Sequence, residues 1–80
     1  MPVLDVGENQ VGIGADALVE WRSVSADSTL SLTTTGSWRL YQSDGTPLAT
    51  GSGLDVVPAP AGSLLAVFGE PGSVTRVHVA

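Results

Sequence analysis

The side chains able to do chemistry in this chain are few and scattered. His78 is the single histidine, so a catalytic triad or a histidine-based metal site would have to use it. It stands between Val77 and Val79 on an alternating stretch, which turns it toward solvent or a partner. Serines are plentiful, but no G-x-S-x-G elbow presents one as a nucleophile. The eight carboxylates are Asp5, Glu8, Asp16, Glu20, Asp27, Asp44, Asp55 and Glu70, and none falls in a D-x-D-x-D-G calcium loop. They read as solvated charges that keep the domain soluble, unless loops bring several of them together. Gly12-Ile13-Gly14-Ala15-Asp16-Ala17 matches the G-x-G-x-x-A dinucleotide pattern. That pattern works only between a strand and a helix inside a βαβ unit, which this chain does not supply. The expectation is a protein that is not an enzyme, with no catalytic residue, cofactor or metal.

The bulk properties point the same way. Eighty residues make one domain with a single core, spanning 1–80, in which 1–14 form an N-terminal arm and a glycine-rich loop. Cysteine is absent, so there is no disulfide and no thiolate chemistry, which leans toward an intracellular or assembled setting. No signal peptide or membrane span is evident, since the longest apolar run is Leu64 to Phe68. A net charge of −5 with three arginines and no lysine argues against nucleic-acid binding. Only 14% of the residues are charged, against roughly 25% in an ordinary globular domain. Either part of the surface is covered by another subunit, or the composition is simply biased toward Ala, Gly, Val and Thr.

The elements that must position these groups read as strands. Trp38 to Leu48 is a strand, a turn at Asp44-Gly45 and a returning strand. Trp38 and Leu40 point to one face, Arg39 and Tyr41 to the other. Asp-Gly suits a type I′ hairpin turn, and Pro47, lacking an N–H, places the returning strand at an edge. Trp38 is the expected centre of the core and Trp21 the more exposed of the two tryptophans. Val3, Leu4 and Val6 form a short opening strand, and Gly7 to Asp16 a loop or irregular edge strand through Val11 and Ile13. Ala17 to Ser23 alternates and fits a strand better than a helix, with Ala17, Val19 and Trp21 on one side. Leu30 to Thr34 follows, with Gly36 as a break, then Leu54 to Val57, a central strand over Ser63 to Phe68, and Ser73 to Ala80. Gly51-Ser52-Gly53 is a turn or bulge. About seven or eight short strands at ~8–12-residue spacing predict an all-β fold, a single antiparallel β-sandwich.

Several stretches carry a likeness. Leu30-Ser31-Leu32, Trp38, Asp44-Gly45-Thr46-Pro47-Leu48, and Ala61-Gly62-Ser63 with Leu65, Val67 and Gly72-Ser73-Val74 resemble an immunoglobulin-like domain without its core disulfide. They correspond to the B strand, the core tryptophan of strand C, the turn after it, and an F–G hairpin. Both core cysteines are missing, and Leu65 stands where the family often has tyrosine. The likeness implies a two-sheet antiparallel sandwich and nothing about catalysis.

The chain opens on Met, reads as one small β domain and is poor in charge. In this it also resembles small bacteriophage virion accessory proteins, such as capsid decoration or cement proteins. That resemblance implies a structural protein assembled in the host cytoplasm into the virion. It implies a protein partner such as a capsid subunit, with self-association open and neither nucleic acid nor membrane involved. Candidate partner-binding residues are Val3, Leu4, Val6, Val11 and Ile13, because the arm and glycine-rich loop carry apolar groups that need cover, and Trp21, because a small core holds few rings this large. The alternative is a carbohydrate-binding or adhesion module, with Trp21 or Tyr41 as a stacking platform.

Overall fold

The structure, a computed structural model, describes residues 1–16 and 18–80. Among the described residues six strands occur: β1 (Gly7–Gly12), β2 (Val19–Ser23), β3 (Ser28–Tyr41), β4 (Pro47–Ala59), β5 (Leu64–Phe68) and β6 (Val74–Val79). All strand pairings between them are antiparallel, and no helix occurs among the described residues. Strand, not helix, is the state of Val19–Ser23. Ala17, expected at the head of that stretch, lies outside the described residues.

The count is six rather than seven or eight because two glycine sites bend strands instead of ending them, and because the expected opening strand at Val3, Leu4 and Val6 makes only an isolated parallel bridge, Val3 to Ser23. β3 runs straight through Gly36 and β4 through Gly51-Ser52-Gly53, with the ladder shifting register between Thr33 and Ser37. Leu30 and Trp38, expected on successive strands, therefore share one. Before the shift β3 pairs with β6 on its free side, and after it with β5. Each half of the bent β3–β4 hairpin thus serves a different half of the sheet: β1-β6-β3-β4 at one end, β2-β5-β3-β4 at the other. The sheet curls into a half-barrel. β5 and β6 are consecutive yet do not pair with each other, so the expected F–G hairpin is absent; they flank β3 at different heights.

Gly36 sits where β3 changes partner, and a Cβ there would run into the Phe68 carbonyl. Backbone meets backbone at this point, so only glycine fits. Gly51 has a comparable role under the core tryptophan: a Cβ would meet the Trp38 ring at 2.8 Å and collide with the Asp55 carboxylate.

The hairpin turn differs in type from expectation. The Gly45 N–H donates to the Gln42 carbonyl at 2.9 Å, and Gly45 alone has positive φ, at 92°. Asp44 stays at negative φ, so the turn is type I closed by a left-handed glycine, not type I′. The Asp44 carboxylate accepts from the Thr46 N–H at 2.9 Å, which holds the tip. Pro47 opens β4, and β4 pairs only with β3, so the edge placement holds.

The curl brings both inward faces onto one core. Trp38, 1% exposed, packs with Leu30, Leu32, Leu40, Leu65, Val67, Val77 and Val79. The Gly7–Asp16 stretch is more regular than its glycines suggest: β1 pairs with β6 over its whole length, and Val11 and Ile13 are buried. β2 contributes nothing apolar to this core. Its Glu20 and Arg22 face inward beside Val67 and Leu65, and pair with each other at 3.7 Å. Inward charge on an edge strand discourages another strand from adding there.

Candidate binding surface

Register decides which outward residues become neighbours. On the β2-β5-β3-β4 half, three cross-strand rows lie on the outer side of the sheet. The first is Val19–Phe68–Ser37–Ser52, the second Trp21–Ala66–Arg39–Thr50, the third Ser23–Leu64–Tyr41–Pro47. Directly paired residues share a face, so Arg39 and Tyr41 are outward because Trp38 and Leu40 are inward.

Three of the four aromatic side chains meet on this face. The Trp21 and Tyr41 rings lie 5.8 Å apart between centroids and are tilted by 37°, in the range of favourable offset pairs. The Arg39 guanidinium lies over the Phe68 ring, 5.4 Å from its centroid, as a cation–π contact. Beside them is an open groove of about 460 Å³ lined by Arg39, Tyr41, Pro47, Leu48, Ala49 and Thr50. No position in the three rows is acidic, in a chain with eight carboxylates. Trp21 is 38% exposed; Tyr41 and Phe68 are half-buried, as a preformed apolar surface requires.

The two strand edges flanking this face are blunted. At β2 the Ser23 N–H donates to the Pro2 carbonyl at 3.0 Å, and the Leu4 N–H donates to the Ser23 carbonyl at 2.9 Å. The arm thereby occupies one end of that edge as a parallel bridge. Further along, Arg22 Nη1 donates to the Trp21 carbonyl at 2.8 Å. At β4, Pro47 and Pro58 lack N–H groups.

The arm and loop residues proposed for docking divide. Leu4, Val11 and Ile13 are buried in the domain's own core, so they are not available to a partner in this fold. The cover they need comes from β6, β3 and the arm's own bridge. Val3, Val6 and Trp21 are exposed, Val6 at 86%. Only Trp21 joins the aromatic face by strand pairing; Val6 sits beyond the arm's bridge, on the approach to β1. Sequence reading missed Phe68 and Arg39 as members of the face that holds Trp21. The alternation around Trp38 already puts Arg39 and Tyr41 outward, but nothing local says that β2 and β5 lie beside them.

The remaining chemical candidates stay apart. His78 Nδ1 lies 3.2 Å from Glu8 Oε2 across the β1–β6 ladder, an exposed pair on the opposite outer face. No group of three or more metal-ligating side chains occurs among the described residues. Gly12 ends β1 and Ile13 enters the core, so the glycine-rich stretch opens no helix. Hydrogen bonding from Thr46 holds the Asp44 carboxyl below its ordinary value. Among the described residues no helix is long and apolar enough to cross a membrane. No protein-family model, curated protein or solved structure matches the chain.

Proposed function

We propose that this chain is a non-enzymatic structural module that docks on a protein lattice, a virion accessory protein of the decoration or cement kind. The observation that carries the reading is the acid-free aromatic face built from Trp21, Tyr41, Phe68 and Arg39. Aromatic and arginine side chains are what protein interfaces concentrate at their centres. The blunted edges direct a partner to the face rather than to a strand edge. The low charge of the chain fits a surface that is covered in use. The test is co-sedimentation with the assembled major capsid protein encoded nearest to this gene. The wild-type chain should pellet with the particles, and a Trp21→Ala, Tyr41→Ala double variant should bind at least tenfold more weakly. A wild-type chain that stays in the supernatant at saturating particle concentration would refute the lattice reading.

A second reading has its own support. Two neighbouring rings, the exposed Trp21 and the half-buried Tyr41, are the kind of surface on which sugar rings stack. A glycan array separates the readings: signal on the array without particle binding favours a carbohydrate-binding or adhesion module.

A further inference from the structure

We infer that the groove beside Tyr41 receives a single carboxylate set next to an apolar side chain on a partner protein, with Arg39 as the anchor for the carboxylate. The inference deepens the docking reading above and rests on it.

Arg39 has no carboxylate partner among the described residues, and its guanidinium donates no hydrogen bond there. Arg22 shows the contrast: it is engaged by Glu20 and by the Trp21 carbonyl. Packing over Phe68 fixes the Arg39 side chain, so the entropy lost on engaging an anion is reduced. Its fork of N–H donors matches a carboxylate. The groove next to it is walled by Tyr41, Pro47, Leu48 and Ala49, which suit an apolar side chain rather than a second charge.

Charge selects the occupant. Arg39 is the only charged residue in the three rows of the face. A second copy docked face to face about a two-fold axis would bring a second Arg39 and no carboxylate to the patch, which disfavours self-pairing. An extended acidic surface would be repelled by the net charge of −5. One carboxylate inside an apolar patch satisfies both constraints.

The probe is a displayed library of random dodecapeptides selected on the full wild-type chain. Enriched peptides should carry one Asp or Glu beside Phe, Leu or Trp. A synthesised peptide should lose at least tenfold in affinity with Arg39→Gln, less with Arg39→Lys, and a similar amount when its own acid becomes the amide. The two changes combined should cost little more than either alone. Circular dichroism should show Arg39→Gln folded, since the residue is exposed. Enrichment of acid-free or polyacidic peptides, no enrichment at all, or an Arg39→Gln effect within twofold would overturn the inference. If Arg39→Gln is silent while Trp21→Ala with Tyr41→Ala abolishes binding, the docking face stands and the anchor fails. If the aromatic double variant is silent too, the face itself is wrong. A wild-type dimer in sedimentation equilibrium that Trp21→Ala dissolves would assign the face to a second copy, against this inference.

Discussion

The two outer faces of the curled sheet obey the same alternation and rest on the same core, yet they differ in kind. On the β1-β6-β3-β4 half the outward rows read Glu8–His78–Ser31–Val56 and Gln10–Arg76–Thr33–Leu54. They are polar, with a narrow apolar strip of Leu54 and Val56 at the β4 edge. On the β2-β5-β3-β4 half the rows hold Trp21, Tyr41, Phe68, Leu64 and one arginine. Folding does not require this difference, because outward positions tolerate most substitutions at little cost. Exposed rings are a solubility liability unless something covers them. On the proposed reading the contrast belongs more to use than to stability.

If the two faces differ mainly in use, the deepest damage should come from beneath them. Trp38→Ala removes the largest buried side chain and should cost ~3–5 kcal/mol, enough to unfold much of so small a domain. Urea denaturation followed by circular dichroism measures it. A loss below about 1 kcal/mol would mean that the two halves do not share one core.

Next comes the floor of that core. Gly51→Ala places a methyl group 2.8 Å from the Trp38 ring and against Asp55, and should cost about 1–3 kcal/mol through overpacking. Gly45→Ala sets a different test at the hairpin tip, where space is open and only the left-handed φ of 92° resists. A destabilisation at the core site no larger than at the tip would argue against the close Gly51–Trp38 approach.

The faces themselves separate at the next level. Trp21→Ala should cost about 1 kcal/mol by removing the ring pair with Tyr41, while leaving the fold intact. Glu8→Gln on the opposite face should cost less than about 0.5 kcal/mol, since its pair with His78 is exposed. Parallel thermal melts compare them. Equal losses would erase the energetic distinction between the faces.

The smallest effect lies at the tip. Hydrogen bonds from Thr46 favour the charged Asp44 carboxylate and depress its folded pKa below the ordinary 3.8. Its contribution is therefore complete above about pH 4 and disappears as pH falls through the folded value. Asp44→Asn should lower stability slightly near neutrality, by no more than what wild type itself loses in acid through this group, and flatten the decline in acid. An acid limb identical to wild type would remove Asp44 from the account.

Local order was legible from the residues alone. Alternation identified Val19–Ser23 as strand, put Trp38 inward and Arg39 outward, and Asp44-Gly45 marked the hairpin. These are properties of adjacent residues: a period of two and a turn with a left-handed glycine need no distant partner. Tertiary structure decided the rest. Gly36 looked like an end and became a switch of partner, because β5 and β6 meet β3 at different heights. The glycines of β1 concealed a strand that the β6 ladder stabilises. Leu4, Val11 and Ile13 looked uncovered until the curl closed over them. The meeting of Trp21, Tyr41, Phe68 and Arg39 is of the same origin. Each lies on β2, β3 or β5, and only the register between those strands makes them neighbours, a non-local choice that no short window of sequence contains.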